Sequence, residues 1–243
     1  MSSRGTFDSF VPRAYLRDHY SALTRDTQFM LRFFNEAYRT IAKKDLRILE
    51  VGGGATLYQL MSAAPHAREI IFTDMLSENL SEVERWKACD KKAFSWKRYF
   101  DYVARYTGIH PTTLESRLRV ALKRITVLDV LAPGKVWRRE QKKFDVVSSH
   151  FCPESITSDR KEFLRAFGNV VSFVKPRGAL VMSFLKEATN YHAGTHSFPA
   201  YPIKEDDIRQ ILKKKGFHFI EIQSIDITER KDHNALMCVL ALR

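Results

Sequence analysis

Two rhythms of apolar positions alternate along the chain. Over 11–43, Tyr15, Leu16, Tyr20, Leu23, Phe29, Met30, Phe33, Phe34, Ala37 and Ile41 return at three- and four-residue steps, which predicts helix. Pro12 suits its first turn. A short apolar run, Leu46 to Val51, then stops at Gly52-Gly53-Gly54 and reads as a strand entering a glycine turn. Ala55 to Ala64 lacks glycine and has helical propensity until Pro65. Glu69 to Asp74 reads as a second strand that ends on an acid. From Ser77 to about Arg124 the pattern is helical, with breaks near Gly108 and Pro111; Trp86 and Trp96 fall there as core residues. A third strand is expected over Ile125 to Val130, a loop over 132–143, and a fourth strand from Phe144 to Ser149. A helix near 159–174, a turn at Pro176-Arg177-Gly178 and a fifth strand from Ala179 to Phe184 follow. Glu205 to Lys215 makes a helix with Gly216 as its C-cap. Two β-like runs, 217–227 and 235–242, close the chain.

Strands alternating with helices predict an α/β fold, a doubly wound and mostly parallel sheet covered on both faces. The last two runs, separated by a short polar loop, suit an antiparallel hairpin at one edge. The 243 residues form one domain, with 77–124 as a helical insertion between the second and third strands. Apolar residues make up 44% of the chain and charged residues 28%, which excludes wholesale disorder. No apolar run approaches the ~20 residues that span a bilayer, and MSSRGTFDSF has no secretory apolar stretch. Cys89, Cys152 and Cys238 have no paired spacing. A zinc site or disulfide framework is therefore not expected, and a cytoplasmic setting fits.

Charge adds one feature. Lys and Arg number 40 against 28 acidic residues, a net of +12, and the stretch Arg85–Lys143 holds 16 of the bases and 5 of the acids. Such a segment is either a solvated helical face or a footprint for a polyanion.

The chemistry-bearing motif is Glu50-Val51-Gly52-Gly53-Gly54-Ala55, with Asp74 twenty residues after Gly54. Glycine lets the backbone turn sharply and approach a ligand, and amides at the start of a following helix face that ligand. An acid at the end of the second strand can accept from ribose hydroxyls. Position 57 is Leu, so the third glycine of the dinucleotide pattern is absent. A nucleoside cofactor without a pyrophosphate fits better than NAD, and Asp129, ending the third strand, adds a second acid.

Phe10-Val11-Pro12-Arg13-Ala14-Tyr15-Leu16, Gly54-Ala55-Thr56-Leu57-Tyr58-Gln59-Leu60, Ile71-Phe72-Thr73-Asp74, Trp86 and Ala93-Phe94-Ser95-Trp96 occur in that order. Together they resemble the family of nicotinamide, phenylethanolamine, indolethylamine and thioether methyltransferases, from about Phe10 to the C-terminus. The resemblance implies a seven-stranded, Rossmann-like sheet that uses S-adenosyl-L-methionine, with 11–43 as an N-terminal helical lid. It assigns Tyr15 and Tyr20 to the lid, and Gly52, Gly54, Thr56 and Tyr58 to the methionine end. Asp74 and Asn79 fall at the ribose, and Asp129 and Val130 at the adenine. His150 stands beside the cofactor where the family has a small residue.

On the acceptor side the family's strand-five acid is replaced by Ser183, while Glu154 matches an acid after strand four and is a candidate amine anchor. Asn190 to His196 matches the substrate loop, with Tyr191 as the catalytic candidate and His192 and His196 as further candidate bases. Phe151 and Ser155 form a pocket wall. The implied activity is methyl transfer by in-line displacement to a small-molecule nitrogen. The missing acid and the basic excess point to a neutral or anionic acceptor. Transfer to oxygen, sulfur or carbon stays open, as do an RNA methyltransferase using the 85–143 segment and a non-catalytic cofactor-binding protein. No metal or membrane partner is expected, and a monomer is the default.

Overall fold

A computed structural model of the chain describes residues 7, 9–193, 195–227 and 235–243. Its order is α1 (Pro12–Tyr20), α2 (Arg25–Ile41), β1 (Leu46–Val51), β2 (Ala67–Asp74), α3 (Ser77–Lys87), α4 (Lys97–Thr107), α5 (Pro111–Ala121), β3 (Leu122–Val127), α6 (Lys135–Arg138), β4 (Phe144–His150), α7 (Arg160–Ser172), β5 (Val174–Leu185), β6 (Asn190–Ala193), β7 (His196–Pro199), α8 (Glu205–Lys214), β8 (Phe219–Asp226) and β9 (Ala235–Leu242). Seven strands form one sheet in the order β3-β2-β1-β4-β5-β9-β8, and β6 and β7 make a separate hairpin. β9 runs antiparallel to both neighbours; the other pairings of the seven-stranded sheet are parallel. The loop expected between β8 and β9 lies outside the described residues.

Alternate side chains of each strand feed two cores. Ile48, Phe72, Val146 and Val181 pack with α2, α4 and α5 on one face. Leu49, Ile71, Val147 and Leu180 pack with α7 and α8 on the other. Trp86 and Trp96 are buried in the first core, as expected.

Five local expectations need correction. The helix read over 11–43 is two helices. The hydroxyl of Tyr99 donates to the carbonyls of Tyr20 and Ala22, both at 3.2 Å, and Arg98 donates to Ser21 O at 2.6 Å. Carbonyls at the end of α1 are thus capped by α4 side chains instead of continuing the helix. The segment 55–64 holds only a 3-10 turn at Tyr58–Leu60. Here Thr56 Oγ1 donates to Gly53 O (2.8 Å) and Gln59 Nε2 to Thr56 O (3.2 Å) and Glu50 Oε1 (3.1 Å), so local side-chain bonds displace the helical ladder.

β3 lies three residues earlier than expected. Its pairing with β2 ends at Asp74 and Val127, after which Leu128 N donates to Asp74 O. Leu128 and Val130 are buried above the sheet edge, while Lys123 and Arg124 are exposed on the strand. β5 absorbs the expected turn as an irregularity: Phe144 pairs with Val174, but Val146 pairs with Ala179. Arg177 there has φ 59°, and a Cβ on Gly178 would lie 3.0 Å from Asp145 O. A short helix, α6, also interrupts the 132–143 loop. The basic segment is laced with its own partners: Arg85 to Glu82, Lys97 to Asp101, Arg119 to Glu115, and Arg124 over the Trp137 ring.

Candidate active site

The sheet's order reverses between β1 and β4, and the loops at the carboxyl ends of β1 to β4 converge there, the usual ligand position in such sheets. A cavity lies at this point under α1, roofed on one side by the β6–β7 hairpin. It brings together Tyr15, Tyr20, Gly52, Gly54, Thr56, Tyr58, Asp74, Asn79, Asp129, Val130, His150, Phe151, Ser155 and Tyr191. Glu154 and Ser183 do not line it. Both are fully buried one layer behind, with Glu154 Oε1 accepting from Leu185 N at 3.1 Å. His192 lines the cavity and His196 does not.

The acid end is tightly wired. Asp74 Oδ2 accepts from Gly54 N at 2.8 Å, and Oδ1 accepts from Leu76 N at 2.9 Å and Asn79 Nδ2 at 3.0 Å. Burial pushes the Asp74 carboxyl up, against the pull of those donors. Asn79 Oδ1 is buried with no partner. Gly54 has φ 62° and a Cβ there would face open space, whereas a Cβ on Gly52 would fall 2.2 Å from Cys152 Sγ. Gly52 therefore lets the β1 and β4 loops close together, and Gly54 keeps a floor of bare backbone. No helix N-terminus backs this loop, because 55–64 is not helical. Asp129 Oδ1 accepts from Leu131 N at 2.9 Å and so also forms a turn.

The other end is aromatic. Tyr15 stands over Phe10 (5.3 Å between centroids) and Tyr20 (5.6 Å), and Tyr20 packs on Tyr58 (5.2 Å). Tyr191 stacks on Phe198 at 5.3 Å, and Phe7 stacks on the same ring at 5.4 Å. His19 Nε2 donates to His192 O at 3.1 Å, tying α1 to β6. Arg13 pairs with Glu82 at 2.7 Å, tying α1 to α3.

Burial, with nearby Tyr15 and Glu154, holds the Tyr191 phenol well above its usual range, so it stays protonated. Burial likewise raises Glu154 to about 8 and Glu50 to about 7, and lowers His150 to about 3. The Cys152 thiol is pushed up by burial and by Asp74 and Glu154, which keeps it from acting as a thiolate.

Sequence reasoning missed Phe7, Phe10, His19, Asp26, Thr27 and Met30, which also line the cavity. The apolar stripe of 11–43 hinted at Met30, but nothing local signalled the buried Asp26 at the start of α2. Among the described residues no Lys or Arg lines the cavity. The basic excess therefore gives no support to an anionic acceptor. No cluster of His, Cys, Asp or Glu among the described residues suits a metal ion, and none of their helices is long and apolar enough to cross a membrane.

A doubly wound sheet with an acid-ended second strand, a glycine floor and a ligand cavity at the switch point defines a nucleoside-cofactor enzyme of the methyltransferase fold. A crystal structure of a SAM-dependent methyltransferase from Methanosarcina mazei superposes with a TM-score of 0.59 at 14% identity, covering 85% of this chain and 96% of that one. Residues 1–243 match the NNMT/PNMT/TEMT family, and the chain belongs to that family. It is 28% identical to phenylethanolamine N-methyltransferase of Macaca mulatta over 229 residues, 90% of this chain and 81% of that protein. It is also 28% identical to human nicotinamide N-methyltransferase over 226 residues, 89% and 85% of the two chains. The protein is an S-adenosylmethionine-dependent methyltransferase of small molecules. The residues present fit that cofactor: three carboxylates and aromatic rings suit a sulfonium cation, and the orphaned Asn79 Oδ1 suits a hydroxyl donor.

Proposed function

We propose that the enzyme methylates the nitrogen of a small, uncharged, planar acceptor, and that Asp74 and Asn79 hold the ribose of its cofactor. When bound, S-adenosylmethionine supplies a methyl group on a sulfonium, open to in-line displacement. The chain's part is alignment and exclusion of water. Asp129 and Val130 frame the adenine, and Gly52, Gly54, Thr56, Tyr58 and Tyr20 hold the methionine end. α1 acts as a lid over both ligands, fastened by His19 to β6 and by Tyr99 to α4.

The observation that carries the acceptor class is the aromatic end: Tyr15, Phe10, Phe151 and Tyr191 offer ring faces and no cationic side chain. A flat neutral acceptor stacks there without stranding a charge. Tyr191 keeps its proton and orients the acceptor as a donor, not as a base. Glu154, protonated at neutral pH behind the wall, is not an ionic anchor for an ammonium. After transfer the acceptor nitrogen carries the positive charge, which ring faces tolerate; where it bears a proton, that proton leaves to water.

The test is labelled methyl transfer from S-adenosylmethionine to separate pools of pyridines and aryl amines, thiols and phenols, organic acids, and total RNA. Label in the pyridine and aryl amine pool is expected. Label confined to thiols or phenols would move the nucleophile to sulfur or oxygen, and label in RNA would overturn the small-acceptor reading.

A further inference from the structure

A row of buried polar side chains crosses three strands behind the cavity. His150 Nε2 lies 2.8 Å from Ser148 Oγ, and Nδ1 lies 2.6 Å from Ser183 Oγ. Ser183 sits opposite His150 in the β4–β5 register and opposite Cys238 in the β5–β9 register. Phe34 of α2 meets the imidazole edge-on at 4.6 Å, and Phe34 in turn neighbours Tyr58 at 6.2 Å. Both ring nitrogens are engaged by serine hydroxyls, so the imidazole lines the cavity with carbon and offers no free nitrogen to a ligand. That removes His150 as a base acting directly on an acceptor.

Resting on the cofactor placement above, we propose that Ser148 and Ser183 hold His150 as an uncharged wall at the methionine end of the cavity, and that Ser183 is the positioning residue that keeps a second cation away from the sulfonium. A hydroxyl at 183 serves either tautomer of a neutral ring. A carboxylate in its place, at the same 2.6 Å contact, would pair with an imidazolium and stabilise it. The cavity would then hold a cation facing the cofactor's own charge. Burial, with a hydroxyl and no carboxylate at each ring nitrogen, keeps the native ring neutral.

S-adenosylmethionine and S-adenosylhomocysteine differ in this charge, so the ratio of their affinities reads the wall. Other titratable groups surround the ring: Glu50 on β1 opposite Ser148, Tyr58 and Cys152 at the loops, Cys238 on β9, and Asp26 and Asp74 across the cavity. All are retained in each variant below, so their titration is common. Calorimetric Kd values for both ligands from pH 5.5 to 8.5 would be compared for the native protein, His150→Gln, Ser183→Asp and the double variant.

The native protein and His150→Gln are expected to share one pH course. Ser183→Asp alone should lose methionine-form affinity relative to the homocysteine form as pH falls, on the order of tenfold, and in the double variant, where only the buried carboxyl can take the proton, the loss should set in at lower pH. Matching courses for Ser183→Asp and the double variant would overturn the proposal. So would a native pH course that His150→Gln abolishes. Should Ser183→Asp not fold, ¹⁵N NMR of the native His150 ring decides: a neutral ring throughout this range supports the proposal, and protonation within it sinks it. Absence of binding of either ligand to the native protein would instead remove the cofactor placement itself.

Discussion

Asn79 donates to Asp74 Oδ1 at 3.0 Å and leaves its own carbonyl oxygen buried without a partner. A buried acceptor without a donor is costly, so on the proposed cofactor placement a ribose hydroxyl beside Asp74 would meet two oriented acceptors. Asp74→Ala is expected to weaken cofactor binding by ~1.5–3 kcal/mol, the scale of hydrogen bonds to a charged group. It also strands the amides of Gly54 and Leu76, so its Tm should fall. Asn79→Ala leaves those amides paired and should weaken both cofactor forms equally, by about 1 kcal/mol. Calorimetry reads both, and unchanged binding in folded variants would show that the ribose lies elsewhere.

The proposed lid, α1, is held by Tyr99 more than by Tyr20. The Tyr20 hydroxyl stands 3.4 Å from that of Tyr15, a long contact, whereas the Tyr99 hydroxyl donates to two backbone carbonyls at the α1–α2 junction. Tyr99→Phe should raise the cofactor Kd several-fold and expose 21–24 to limited proteolysis. Tyr20→Phe should lower turnover less and leave the cleavage pattern unchanged. Equal protease resistance of the native protein and Tyr99→Phe would deny the lid this fastening.

Most strands of the parallel sheet, and Asp74 at the end of β2, were legible in the sequence because a sheet buried on both faces writes itself as short apolar runs; Asp129, read as ending the third strand, lies two residues beyond it. Leu46 to Val51 and Phe144 onward are such runs. β3 misled because its core-facing signal comes from Leu128 and Val130, which leave the sheet, while the paired residues include exposed Lys123 and Arg124. The segment after Gly54 misled because Thr56 and Gln59 bond the backbone, which propensity does not register. At the site, residues from glycine turns and strand ends were readable by spacing. Asp26, Phe7 and His19 were not, since only the fold of α1 and α2 over the sheet brings them to the cavity. Glu154 and Ser183 were readable as positions but not as second-layer residues, because Glu154 turns back from its loop to the Leu185 amide and Ser183 sits within β5 behind His150.

Two of the three glycines separate stability from binding. Gly52→Ala meets both a φ of 64° and Cys152 Sγ at 2.2 Å from the new Cβ. Strain and overpacking together should cost about 2–4 kcal/mol in denaturant unfolding. Gly54→Ala bears only the backbone strain of its positive φ, about 1–2 kcal/mol, but puts a methyl group into the cavity floor. Its larger effect should be on cofactor Kd. A Gly54→Ala protein with native affinity would mean that the cofactor does not approach this turn.

Glu154 links the second layer to pH. Burial raises its carboxyl from 4.5 to about 8. The native chain therefore holds this proton more tightly than the unfolded chain does. The stabilisation is complete below about pH 4.5 and is lost as pH rises through 8. Glu154→Gln keeps an acceptor for the Leu185 amide, bonded at 3.1 Å in the native protein, and cannot ionise. Relative to the native protein, the variant should gain on the order of a few kcal/mol in unfolding free energy between pH 5.5 and 8.5. Glu50, also raised by burial, is common to both proteins and drops out of the difference. Denaturant unfolding at the two pH values measures it. An identical stability difference at both would mean that the carboxyl is already ionised at pH 5.5, and that Glu154 is available after all as an ionic anchor for an amine.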